Sequence, residues 1–98
     1  MNDERLNRVI FKTAESALKT LNFISTLDCA DEVLIAELFV LGATTPTATI
    51  SSGSDRGAPA GQNISIDLDV TEVALGDYTL KIYTTATGVI AKAHCLLR

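Results

Sequence analysis

The sequence predicts an all-β protein, an antiparallel β-sandwich of about seven strands, from three observations in its last third. Apolar residues occupy every second position of residues 64–70, which is the period of a strand with one buried face. Residues 75–78 read Leu-Gly-Asp-Tyr, a turn, and the alternating segments 78–83 and 89–97 follow it. Short strands at regular spacing are typical of sandwiches.

The N-terminal quarter supports two interpretations. Residues 1–7 are polar, and we expect a flexible arm there, ahead of a single domain over residues 8–98. Apolar residues then recur at intervals of four and three, which predicts an amphipathic helix over residues 4–24 and an α+β fold. They are Ile10, Ala14, Ala17, Leu21 and Ile24. The alternative is two strands, 8–12 and 17–25, rich in β-branched and aromatic residues. Periodicity slightly favours the helix, whereas the rest of the chain favours a hairpin.

The most apolar strand is predicted over residues 33–41, after an acidic turn. Its alternate positions are apolar on both sides, so we expect the strand to be covered twice, by the core and by a subunit or an N-terminal helix. We predict that one side, formed by Leu34, Leu38 and Val40, binds a partner.

A turn, a short strand and a loop follow, at residues 42–46, 47–51 and 52–61. The loop is rich in Ser, Gly, Asp, Ala and Pro, which predicts the most mobile part of the domain. Within it, Ser54, Asp55 and Arg56 are expected to contact a partner.

Composition narrows the class of protein. The chain has 98 residues, 47% of them hydrophobic, and a formal net charge of -4. Its eight cations are scattered along the sequence, which disfavours binding to a nucleic-acid backbone. The polar start predicts no secretory signal, and the longest apolar run is interrupted by Glu37, which predicts no membrane span. We therefore expect the protein to be made and kept in the cytoplasm.

No residue pattern predicts catalysis, a cofactor or a metal. Asp67 and Asp69 share one strand face, and three more carboxylates lie at residues 28–32, but neither group has the spacing of a calcium loop. His94, the single histidine, is expected on the surface, with no serine or cysteine in a nucleophile context. The two cysteines, at 29 and 95, are expected to be buried or idle thiols. The protein is predicted not to be an enzyme.

Tyr78 in the sequence Leu75-Gly76-Asp77-Tyr78 resembles the tyrosine corner of immunoglobulin-like sandwiches, where a tyrosine at the start of the sixth strand hydrogen-bonds to the chain just upstream. Leu80 stands where immunoglobulins proper carry a cysteine, and the sequence lacks tryptophan, which excludes an antibody-type domain. Residues 64–97 are similar to the small immunoglobulin-like modules of tailed-bacteriophage structural proteins, with a strand, a Gly-Asp-Tyr turn, a strand, a hairpin and a closing strand.

That resemblance implies a non-enzymatic building block of a virion: a capsid decoration or cement protein, a connector, or a tail or baseplate accessory. Its partners would be further copies of itself or other virion proteins in a symmetric assembly. In such modules Gly76 and Tyr78 have structural roles, and the N-terminal segment forms strands. The alternative hypothesis is a cytoplasmic interaction or regulatory module that oligomerises through the N-terminal helix.

Overall fold

The structure, a computed structural model, describes residues 8–11, 17–51 and 53–98. These residues form seven strands in two sheets and no helix, which confirms the predicted all-β sandwich. The strands are β1 (Arg8–Phe11), β2 (Leu18–Ile24), β3 (Ile35–Val40), β4 (Ala48–Thr49), β5 (Asn63–Asp69), β6 (Gly76–Thr84) and β7 (Gly88–Leu97).

The predicted N-terminal helix is wrong wherever the structure describes the segment, because β1 and β2 occupy it. The helical spacing grouped Ile10, Leu21 and Ile24, yet only Leu21 is buried; the other two are 40% and 55% exposed. Val9, Phe11, Leu21 and Phe23 alternate into the core instead, with the period of strands. The predicted arm at residues 1–7 and the predicted break between the two strands, at residues 13–16, lie outside the described residues.

Five strands form one sheet in the order β1-β7-β6-β3-β4, and β2 pairs with β5 in the other. The third, sixth and seventh strands share a sheet and the second and fifth pair in the other, as in immunoglobulin-like sandwiches, but β1 and β4 lie beside β7 and β3 rather than with β2 and β5. One pair departs from the predicted antiparallel pattern: β1 runs parallel to β7, with Val9 opposite Cys95 and Phe11 opposite Leu97.

The core lies between the inner faces of the two sheets. The β5 side chains Ile64, Ile66 and Leu68 are at most 1% exposed, as their alternation predicts. They belong to one apolar cluster with Leu80 and Ile82 of β6. A bulge in the β6–β7 pair after Ile82 lets consecutive residues of β7 enter the core.

The tyrosine corner is present. The Tyr78 hydroxyl donates a hydrogen bond to the carbonyl oxygen of Ala74, four residues upstream, over 2.8 Å. Gly76 lies between them with a φ of +149°, a conformation that side chains disfavour. Both residues therefore have the structural role that the resemblance implied.

Candidate functional site

Three loops meet at one end of the sandwich, at residues 25–34, 53–62 and 85–87; we call this the loop end. The backbone N–H of Leu34 donates to the carbonyl oxygen of Asp55 over 3.0 Å, and that of Gly57 donates to the carbonyl oxygen of Glu32 over 2.8 Å. Val33 and Arg56 form an isolated antiparallel bridge between these two bonds. The segment predicted to be the most mobile is thus fastened to the edge ahead of β3.

Cys29 and Gly57 approach each other closely at the loop end. The Cys29 backbone N–H donates to the carbonyl of Ala58 over 3.0 Å, and its thiol lies 3.5 Å from the same oxygen. A Cβ atom on Gly57 would clash with both the carbonyl oxygen and the sulfur of Cys29. Glycine is therefore required at residue 57 for close backbone approach.

A buried polar cluster connects the third loop to the first. The carboxylate of Glu32 accepts hydrogen bonds from the hydroxyls of Thr84 and Thr87, the second over 2.7 Å. Thr84 is 2% exposed, and its hydroxyl also accepts the backbone N–H of Thr87 over 2.9 Å. Because hydroxyls bonded to a carboxylate form strong hydrogen bonds, this cluster fixes the β6–β7 turn against the acidic turn.

The structure brings together the three polar residues predicted to bind a partner. Ser54 and Arg56 are exposed at the loop end, and Asp55 lies half-buried between them. Asp55 has an internal role as well, since its carboxylate accepts the backbone N–H of Asp67 over 3.3 Å. The Arg56 guanidinium donates to the carbonyl of Asp55 over 3.3 Å. Arg56 therefore presents a positive charge on a fixed loop.

Two of the three apolar residues predicted to bind a partner lie in the core. Leu34 and Leu38 are fully buried, because their side of β3 faces the β2–β5 sheet. They have no surface to offer, so the prediction is wrong for them. Val40, at the end of β3, is 50% exposed, far from the loop end.

On the other side of β3, a side chain from the neighbouring strand β6 covers Phe39. Phe39 is buried, and the Lys81 ammonium lies 4.5 Å from the centre of its ring, a cation–π contact. Neither a subunit nor a helix is needed to cover Phe39.

Tyr83 has a shifted pKa. Partial burial raises the pKa of the Tyr83 phenol, and a hydrogen bond to Glu37 and the charge of that carboxylate raise it further.

A concave surface, here called the acidic groove, has a volume of about 630 Å³ and lies at the edge of the sandwich, where β4 approaches β2 and β5. Its carboxylates are Asp67, Asp69 and Glu72, and apolar groups such as Leu68 and Val73 also line it. The Thr20 hydroxyl donates to Asp67 over 2.7 Å. The side chain and backbone of Thr71 donate to Asp69, which lowers the pKa of that carboxyl.

The structure also places the residues that the sequence analysis considered for metal binding or catalysis. Among residues 8–11, 17–51 and 53–98, no three histidine, cysteine or carboxylate side chains are grouped to hold a metal ion. His94 is half-buried rather than a surface residue, and its Nε2 is buried without a hydrogen-bond partner in the described part of the chain. Cys29 and Cys95 are both buried and unpaired, as expected, and burial raises the pKa of Cys95 to about 11.

The fold and these surfaces define an all-β sandwich with a fastened loop end and an acidic groove. No protein-family model matches the chain, and the curated proteins include no match to it. The part of the chain that the structure describes has no helix of the length and apolarity that a membrane span requires.

The sequence interpretation missed Glu32, Thr84, Thr87 and Gly57 as the residues that fasten the loop end. The contacts that join the three loops link residues far apart in sequence, such as Glu32 and Thr84, 52 positions apart. A threonine or a glycine in a polar loop carries no signal for such a partner. The acidic groove had a partial signal in the paired carboxylates of β5, which alternation places on one face.

Proposed function

We propose that the protein is a non-enzymatic structural component of a tailed-bacteriophage virion, which docks onto another virion protein through its loop end. The observation that carries the proposal is the fastening of three loops into one surface. Loops held in place before binding lose little conformational entropy in a complex, which favours a stable assembly contact. The resemblance of residues 64–97 to phage structural modules supports the virion assignment.

Arg56 is the residue on which we expect docking to depend most. Arginine is enriched among the few interface residues that supply most of the binding energy, because its planar group forms several hydrogen bonds at once. Arg56 is exposed, and the bridge between its backbone and Val33 sets its direction. Its partner surface is expected to carry carboxylates.

The proposal is tested by measuring whether the protein is incorporated into phage particles. Phage particles from the genome that encodes the chain would be purified by density gradient, and the copies of the protein per particle counted by quantitative mass spectrometry. A virion component is expected at a fixed copy number. A protein confined to the soluble fraction of the lysate would contradict the proposal.

A complementation experiment assigns the contact. We expect Arg56→Gln to lower the copies per particle about tenfold, the effect of losing one dominant interface residue. Arg98→Gln removes the same charge at the opposite end of the sandwich, where the Arg98 backbone bonds to Phe11, and is the matched control, for which incorporation should be unchanged. Equal losses from both variants would exclude a specific role for the loop end.

The alternative hypothesis, a module that oligomerises through an N-terminal helix, is not retained. Residues 8–11 and 18–24 are strands that contribute Val9, Phe11, Leu21 and Phe23 to the core.

A further inference from the structure

Two separate surfaces of the sandwich carry opposite charge. The outer face of the five-stranded sheet, here called the basic face, presents Arg8 from β1, Lys81 from β6 and Lys92 from β7. The acidic groove lies at the edge of the sandwich, where β4 of the five-stranded sheet approaches β2 and β5. From this arrangement we propose that the acidic groove of one copy binds the basic face of the next copy.

The basic face holds like charges close together. Lys81 and Lys92 are direct partners in the β6–β7 register, and Arg8 is opposite His94 in the neighbouring β1–β7 pair. Directly opposed like charges destabilise a sheet, and an anionic surface placed over them relieves the repulsion. Glu37 is opposite Lys81 on its other side and offsets one of these charges, and Asp77 lies at the margin beside Leu96. The face remains positive.

The acidic groove holds the complementary set. Asp67 and Asp69 lie on the solvent side of β5, opposite Thr20 and Leu18 of β2 rather than opposite cations. Glu72 adds a third carboxylate, and Lys19 is the one cation among the described residues that line the groove. The groove therefore has a net negative charge and an apolar lining, features that suit a surface combining lysines with Ile10 and Tyr83.

The geometry decides the kind of assembly. The basic face is the outer side of the five-stranded sheet and the groove lies at the edge between β4 and β5, so the contact joins different patches of the two copies. A contact of this kind is heterologous, and it leaves one free basic face and one free groove after every addition. It produces a ring or an open stack, not a closed two-fold dimer.

The contact is small. Five strands spaced about 4.8 Å apart and about six residues long give a face of roughly 400 to 500 Å². Both sides together bury less than about 1,200 Å², the range of weak, transient complexes. Self-association is therefore expected only at high protein concentration or where copies are already arrayed on a particle. Exposed ion pairs also make it sensitive to salt.

The first test is sedimentation of the pure protein at concentrations up to about 1 mM, where weak complexes of this size are populated. We expect the weight-average mass to rise with concentration at about 20 mM salt and to fall to that of a monomer at about 500 mM salt. A monomer at every concentration in low salt would overturn the proposal. Association that is unaffected by salt would overturn it as well.

The second test uses two variants that each disable one face. Arg8→Glu with Lys92→Glu reverses the basic face, and Asp67→Lys with Glu72→Lys reverses the groove. Each pair should weaken self-association about tenfold or more, since each lost ion pair contributes up to about fivefold. An equimolar mixture should form a 1:1 complex, because the first variant retains an intact groove and the second an intact basic face.

The mixture is the decisive sample. If the contact were two-fold symmetric or ran through the loop end, either both variants would still self-associate or mixing them would restore no complex. Each of these results would overturn the proposal. Circular dichroism checks that the variants fold. Glu72→Lys alone, at an exposed turn, serves if the double change in the groove unfolds the protein; by itself it should weaken association about threefold to fivefold.

Arg56→Gln separates this inference from the proposed function. Arg56 belongs to neither of these two surfaces, so this variant should self-associate like the unaltered protein while failing to enter particles. Loss of self-association in Arg56→Gln would overturn the inference and leave the loop-end proposal standing.

Discussion

The two ends of the sandwich are built differently. At the loop end, backbone bonds among residues 29–34 and 55–58 and the cluster around Glu32 fasten three loops to one another. At the opposite end, the far end, the chain turns at residues 41–47 and 71–75, and Val40, Leu41 and Leu75 are at least half exposed. Polar residues thus form the more cross-linked end, and apolar residues the more exposed one.

This contrast teaches that composition is a poor guide to the order of a loop. A polar loop is ordered when its backbone groups and side chains find partners across the fold, and an apolar turn is exposed when no opposite surface is near. Four substitutions measure how far the contrast extends.

Gly57→Ala should have the largest effect, because the new methyl group would clash with the Cys29 backbone and separate the two loop segments. We expect a loss of about 3 kcal/mol in the free energy of unfolding, measured by urea denaturation. The control is Gly53→Ala, where the methyl group meets nothing within 4 Å but the φ of +79° is unfavourable. It should cost about 1 kcal/mol. Equal costs would mean that the loop end is not fastened in solution.

Glu32→Ala should come second, with a loss of about 2 kcal/mol, because it removes the carboxylate that the Thr84 and Thr87 hydroxyls share. Glu72→Ala, an exposed glutamate at the far end, should change stability by less than about 0.5 kcal/mol. A double-mutant cycle of Glu32→Ala with Thr87→Val isolates the pair, and a coupling free energy of about 1 kcal/mol is expected. Additive effects would show that the two side chains act independently.

Tyr78→Phe should cost about 1 kcal/mol, since it removes the one hydrogen bond that the hydroxyl gives to Ala74 and retains the buried ring. Thermal unfolding is sufficient to measure it. Because this hydrogen bond closes the turn ahead of β6, the native-state exchange of the amides in that turn should accelerate selectively. An unchanged melting temperature would show that the hydrogen bond from Tyr78 to Ala74 does not stabilise this end.

Leu75→Ser should have the smallest effect. The side chain is 63% exposed, so its replacement should change the free energy of unfolding by less than about 0.5 kcal/mol in urea. Leu34→Ala, at a fully buried position, provides the contrast and should cost about 2 to 5 kcal/mol. A large cost for Leu75→Ser would show that the far end is covered in solution.

The sequence predicted those parts of the fold that depend on local alternation. Strands β5, β6 and β7 and the Tyr78 corner were correct, because burial on one side imposes a period of two that is visible within a few residues. The N-terminal segment was ambiguous because Ile10 and Ile24, though exposed, happen to complete a helical spacing with buried Leu21.

Alternation also could not decide which side of β3 faces inward. It correctly showed that both sides are apolar, but the choice between Leu34 and Phe39 depends on where the β2–β5 sheet packs, which is not local information. The sequence indicated one loop of the loop end, through Ser54, Asp55 and Arg56, but not the hydrogen bonds that join the three loops to one another. These bonds join residues up to 59 positions apart.

The parallel pairing of β1 with β7 has a kinetic consequence. The contact between Val9 and Cys95 spans nearly the whole chain, so β1 has no partner until β7 has been synthesised and has joined β6. Contacts of such large sequence separation slow folding, and β-sandwiches accordingly fold in about milliseconds to seconds. During that interval the edge of β7 that later receives β1 is open to the β1 segment of a neighbouring chain. A fault at this step would exchange β1 between two molecules, and high local concentrations of nascent chains would promote it.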